Sequence, residues 1–332
     1  MSPSEKKRGS VVWNILKIIL ALALAGFVLS RTDLDELSAL HERIDGIWLT
    51  IGILLYFLIT LLKALQYYFL INRRVGYPHV LNVVVVQNAV SNFIATGAGI
   101  VSYLTLFRVE QGVRVSRAVL VFLLTKIGDL IAIWLFMLVS TLLLWQRVEV
   151  LHGLIAVLLT VIGAVIIIFF AVVLLRQKFV AWLALFLEKT RLSQFGYVTR
   201  LMDFLNSLAE QEHAFVFRMV GTGVAFSLPY MFFTMAWLYA SLLTFSFDIG
   251  VLPVVFVNTI MQLISYLPIQ VFGGLGINEM TSLYMYGMFD VPQAELAAVL
   301  VGMRVLFYLT NLAALLYLPL YAVFFNRPQT EP

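Results

Sequence analysis

Six stretches of this chain, residues 11–29, 47–71, 117–145, 153–175, 218–244 and 296–325, are apolar over the length that a helix needs to cross a bilayer, about 20 residues. No other feature limits the fold so strongly. In hydrocarbon a backbone must satisfy its own N–H and C=O groups, so such runs become helices packed side by side. The composition agrees: 62% of residues are hydrophobic and 12% charged, more apolar surface than a soluble chain of 332 residues can bury. The expected fold class is an all-α polytopic membrane protein, a single integral membrane domain over residues 1–332.

Two further apolar segments, 82–107 and 251–289, are interrupted by glycine. The first carries Gly97-Ala98-Gly99-Ile100, followed by Val113 and then Lys126; the second carries Gly274-Leu275-Gly276-Ile277, followed by Val291 and then Arg304. Each copy is a glycine break, a turn and a long apolar helix bearing one cation. In membrane proteins, duplicated and interrupted segments of this kind point to a transport site between two repeats.

Orientation follows from the basic residues, because Lys and Arg in short loops are retained on the cytoplasmic side. Lys6, Lys7 and Arg8 place the N-terminus inside, before a run too long for a cleavable signal and read as a first helix. Loop 30–46 is acidic and faces outward; Arg73 and Arg74 bring the chain back. If 82–107 spanned the membrane, Arg108, Arg114, Arg117 and the basic stretch from Arg176 to Arg200 would lie outside. A hairpin that enters from the cytoplasm, turns at Thr96-Gly97-Ala98-Gly99 and leaves on the same side keeps them all inside. The second segment then enters from outside, turns near Phe272-Gly273-Gly274-Leu275-Gly276 and leaves beside Asp290 and Glu295. The expectation is about six spanning helices plus two glycine-broken re-entrant hairpins forming an inverted repeat, with both termini in the cytoplasm. Segment 176–217 reads as amphipathic helices, either lying on the anionic inner leaflet or packed as a linker on the membrane domain.

Candidate site residues come from the breaks and from charges deep in spans. Gly97, Gly99, Gly273, Gly274 and Gly276 permit unusual backbone and close approach of a ligand, or serve only tight helix packing. The half-helix after each break aims free N–H groups and a positive dipole end inward, which suits an anion such as phosphate. Lys126 and Asp129 share a helix face and can pair. Arg304 has no acidic residue within a helical turn, so it pairs with Glu279 or stays free to meet a phosphate. Lys63 lies too deep to snorkel easily and is placed in the same cavity. Buried charges cost about 2.5–3.5 kcal/mol each on insertion scales, so structural pairing is the competing account. Asn92 and Asn278 flank the breaks, with Asn88, Gln262 and Gln270 nearby, and Pro268 helps end the incoming half-helix. With no cysteine, and four histidines in no ligand spacing, no metal and no cofactor is expected. No nucleophile–base constellation or nucleotide motif is present either, so no enzyme activity and no nucleic-acid partner is expected.

The run Leu267-Pro268, then Gly273-Gly274-Leu275-Gly276-Ile277-Asn278-Glu279 and Arg304, resembles the lysylphosphatidylglycerol synthase transmembrane, or flippase-like, family. Asn92 to Asp129 is similar to that family's first motif, with Lys126-Ile127-Gly128-Asp129 where an arginine and an aspartate are usual. Where a glutamate commonly follows the first glycine pair, this chain has Ile100. The similarity is to the membrane half of the bifunctional members, without their soluble aminoacyl-transferase domain.

The resemblance implies lipid translocation. The expected function is a flippase in the cell's inner membrane, moving the head group of a phospholipid or polyprenyl-phosphate lipid between leaflets, its partner being an anionic or modified membrane lipid. In that scheme Arg304 and Lys126 hold the lipid phosphate alternately with Glu279 and Asp129. The other expectation is a non-transporting membrane partner that presents lipid to a separate lipid-modifying enzyme, a synthase or glycosyltransferase. The sequence does not set the oligomeric state.

Overall fold

The computed structural model describes residues 40–175, 177–189, 202, 206, 213–266 and 270–325. Among them the chain is α-helical with no strand, joined by short turns and 3₁₀ segments. Five long helices have the length and apolarity to cross a membrane: α1 (Gly46–Leu70), α4 (Val115–Leu143), α5 (His152–Leu175), α7 (His213–Thr244) and α10 (Gln293–Leu315), the last continued by α11 (Tyr317–Phe324). The expected span at 11–29 lies outside the described residues. The helices expose large apolar side chains such as Leu54, Val139, Val157, Ile167 and Leu312. This all-round apolarity is what a lipid-facing helix needs.

Between the spans sit two broken hairpins. In the first, α2 (Tyr77–Phe93) runs into α3 (Thr96–Val109); in the second, α8 (Val251–Ser265) leads through a non-helical stretch into α9 (Ile277–Tyr286). The amphipathic α6 (Gln177–Lys189) follows α5 and shows Trp182, Leu185 and Phe186 on its exposed face. Much of the rest of the 176–217 segment, including Arg176, Arg191 and Arg200, lies outside the described residues, and its last residues begin α7.

Contacts sort the chain's turns into two ends of the bundle. At one end the Asp45 N–H donates to Thr244 O at 2.8 Å, and Arg43 pairs with Glu295 at 2.7 Å. Asp45 also caps α1, its Oδ1 accepting from Ile47 N–H at 2.8 Å and Trp48 N–H at 3.2 Å. Asp248, Asp290 and Glu295 share this acidic end. At the opposite end the His79 ring meets the Tyr321 hydroxyl at 2.6 Å, and the Tyr317 hydroxyl donates to Pro78 O at 2.9 Å. Arg73, Arg74, Arg108 and Arg114 gather there. The first hairpin therefore enters from the basic end and the second from the acidic end.

The tips meet inside the bundle. Ala95 and Val271 form an antiparallel β-bridge, and the Phe272 N–H donates to Ile94 O at 3.1 Å. Non-helical backbone at this depth is permitted because each tip supplies polar groups to the other.

The two tips turn differently. The expected first turn at Thr96-Gly97-Ala98-Gly99 lies too late in the chain: the helix breaks just before it, at Ile94-Ala95, and all four residues belong to the first turn of α3. No glycine is needed there, because neither Ile94 (φ −120°) nor the extended Ala95 (φ −166°) has positive φ. The second tip turns where expected, with positive φ at Phe272 (50°), Gly273 (64°), Gly274 (78°) and Gly276 (78°). Pro268, expected to end the incoming half-helix, lies outside the described residues; α8 itself ends at Ser265.

Candidate functional site

A cavity of about 630 Å³ opens beside the joined tips. Lys63, Lys126, Asp129, Glu279 and Arg304 all line it. So do Asn92, Gly273 and Asn278, together with further carboxamides from both hairpins.

The first charge cluster is built on Asp129. Lys63 Nζ donates to both carboxylate oxygens, at 2.9 and 2.8 Å, and lies 4.3 Å from the centre of the Tyr230 ring. Ser227 Oγ donates to Asp129 Oδ1 at 2.7 Å. Gln66 Nε2 in turn donates to Ser227 Oγ at 2.8 Å and to Gly223 O at 3.0 Å. The crossing of α4 and α7 is close enough for this because a Cβ on Gly128 would fall 2.8 Å from the Gly223 carbonyl carbon.

Lys126, the partner expected for Asp129, is the more distant cation. Its Nζ stands 3.7 Å from Asp129 Oδ2, with 34% of its side chain exposed against 10% for Lys63. It rests instead over the Tyr266 ring at 4.5 Å. The pairing read from helical spacing is therefore secondary to one that joins α1 to α4. A chain-distant partner with a freely placed ammonium won over the one fixed three positions away.

The second cluster holds the second tip together. Arg304 pairs with Glu279 through Nε and Nη2, as expected, and its Nη1 donates to Gly273 O at 3.0 Å. The other Glu279 oxygen accepts the Gly276 N–H at 2.6 Å, closing the first turn of α9. The Tyr308 hydroxyl donates to Phe272 O at 2.7 Å, and Asn278 Nδ2 to Gly273 O at 3.1 Å. The bends at Phe272, Gly273 and Gly276 thus each have a side chain of α9 or α10 on them, while the Gly274 N–H donates to Val271 O at 2.9 Å. Arg304 is committed to that task, whereas Lys126 has as its nearest carboxylate Asp129 at 3.7 Å.

Asn92 carries the first tip. Its Nδ2 donates to Asn311 Oδ1 at 2.6 Å, and the Tyr56 hydroxyl donates to the same oxygen at 2.6 Å. Gly273 packs under Asn92, where an added Cβ would fall 3.0 Å from the Asn92 carbonyl oxygen. Gly99 serves packing between α2 and α3, since a Cβ there would meet Ser91 and Gln87 O. Gly97 faces open space, with nothing within 4 Å of an added Cβ.

Tyr56, Gln66, Ser227, Asn311 and Tyr308 escaped the sequence reading. Gln66 had a legible signal, lying one helical turn from Lys63 on the same face; the others are common residues in apolar helices and carry none.

No curated protein and no solved structure matches the chain. The family described as the lysylphosphatidylglycerol synthase TM region matches residues 14–314, a stretch that takes in both hairpins and all five charged residues of the cavity. The chain belongs to the lysylphosphatidylglycerol synthase TM region family.

Proposed function

We propose that this protein moves the anionic head group of a membrane lipid, a phospholipid or a polyprenyl-phosphate lipid, between leaflets. The observation that carries the reading is the cavity itself. It sits where two hairpins from opposite ends of the bundle touch, and its charged lining holds three cations against two carboxylates. A family of membrane regions named for a lipid synthase is consistent with a lipid as cargo. In this reading the hairpins are an inverted repeat whose tips part alternately toward each leaflet. The acyl chains remain in the bilayer while the head group crosses the cavity, and the protein supplies no chemistry of its own. The basic end faces the cytoplasm of a cell whose inner membrane holds the protein, by the retention of Lys and Arg on that side.

The tips supply the test. The chain has no cysteine, so Ala95→Cys/Val271→Cys introduces one pair across the β-bridge, where facing Cα atoms lie within disulfide reach. In proteoliposomes carrying a fluorescent phospholipid, the oxidised variant is expected to lose most of its leaflet exchange and regain it on reduction. Exchange at the wild-type rate with the tips locked would refute the reading.

The second reading, a non-transporting partner that presents lipid to a separate synthase or glycosyltransferase, is favoured by the saturation of both cavity carboxylates. Asp129 and Glu279 each have their donors supplied internally. On that reading the locked variant still supports its partner enzyme at the wild-type rate.

A further inference from the structure

The charges around the cavity do not cancel, and one side chain holds the excess. Lys63 and Asp129 form one neutral pair, and Arg304 and Glu279 a second. Among the described lining residues, Lys126 is the remaining ion. The carboxylate nearest to it, 3.7 Å away, already accepts from Lys63 Nζ and Ser227 Oγ. Position 126 stands about 16 Å along α4 from the basic end at 1.5 Å per residue, and farther still from the acidic end. At that depth the ammonium has no route to the interface. The Tyr266 ring at 4.5 Å and the Phe122 ring at 5.7 Å hold it in place and neutralise nothing.

We propose that Lys126 selects the cargo by net charge: the cavity takes a phosphodiester head group with one net negative charge and discriminates against zwitterionic ones. This rests on the lipid-transport reading and narrows it. A monoanion brings the cavity to neutrality. A zwitterion brings its own cation, leaves the total at one positive charge and places two cations together where the dielectric screens them poorly. Asn88, Asn92, Gln262 and Asn278 line the same space. Their carboxamides donate to and accept from the hydroxyls or sugars that such head groups carry.

The test measures binding and movement separately, on wild type, Lys126→Gln and Lys126→Arg. Lys126 donates no short hydrogen bond and its side chain is 34% exposed, so Lys126→Gln gives up one 3.7 Å ion pair and its ring contacts, whereas Lys126→Arg keeps the charge. Binding is read by native mass spectrometry with phosphatidylglycerol and phosphatidylcholine, which share a phosphodiester and differ in net charge. Movement is read in proteoliposomes with fluorescent forms of the same two lipids. Wild type and Lys126→Arg are expected to favour phosphatidylglycerol by about tenfold in binding, the scale of one charge interaction offset by desolvation, and Lys126→Gln to favour neither. Equal binding by wild type, or a preference that survives in Lys126→Gln, overturns the proposal even if both lipids move. A lysine-dependent preference with no movement keeps it and defeats the transport reading instead. Binding of deacylated glycerophosphoglycerol with no retention of phosphatidylglycerol overturns the assignment to a lipid.

Discussion

The two hairpins reach the same depth by opposite means. The first tip breaks its helix at Ile94-Ala95 with no glycine and no charge, and leans on Asn92, whose amide meets Asn311. The second folds through four residues with positive φ, and an arginine, a glutamate, a tyrosine and an asparagine hold its bends. The difference shows what a chain must add when a turn is sharp and buried. A single break leaves few orphaned backbone groups, which the other tip can satisfy. A run of left-handed residues leaves many, and each needs a dedicated side chain.

Substitutions can break that comparison, beginning with the largest effect. Glu279→Ala strands Arg304 as a buried cation and uncaps α9, for an expected loss of about 3–5 kcal/mol. Thermal melting in detergent would show it as a collapse of the monodisperse fraction. The double variant Glu279→Ala/Arg304→Ala is expected to recover part of that loss, because the stranded charge is gone. Gly274→Ala follows: at φ 78° and with Asn278 side-chain atoms within 3.0 Å of the new Cβ, it costs about 1–2 kcal/mol from the left-handed backbone alone. Its melting temperature should fall clearly below that of wild type.

On the first tip the effects shrink. Asn92→Ala removes one partly buried hydrogen bond and is expected to cost about 1 kcal/mol, measured in the same melts. Gly97→Ala falls on a helical position with open space around it. It should be neutral or stabilising by up to about 1 kcal/mol. A Gly97→Ala variant as damaged as Gly274→Ala would erase the distinction between the tips.

The five described spans were legible in the sequence because their signal is additive: about twenty apolar residues outweigh any single exception. The second tip was legible for a local reason, since clustered glycines and a glutamate at the third helical position describe a bend and its cap. The first tip was placed just after its true position. Gly97 and Gly99 drew attention to themselves, whereas Ile94 and Ala95 break the helix with residues that have no turn preference. The pairing of Lys63 with Asp129 was out of reach for another reason. It joins positions 66 apart, and helical spacing supplied a nearer lysine that satisfied the same rule.

The bridge between Ala95 and Val271 has a consequence for leakage. Parting the tips would cost the Phe272 N–H its bond to the Ile94 carbonyl, and the polar cavity beside them is where water could take that bond over. On the transport reading, water or a polar cargo in the cavity is what lets the seam open. On that same reading, a protein without cargo keeps this seam closed.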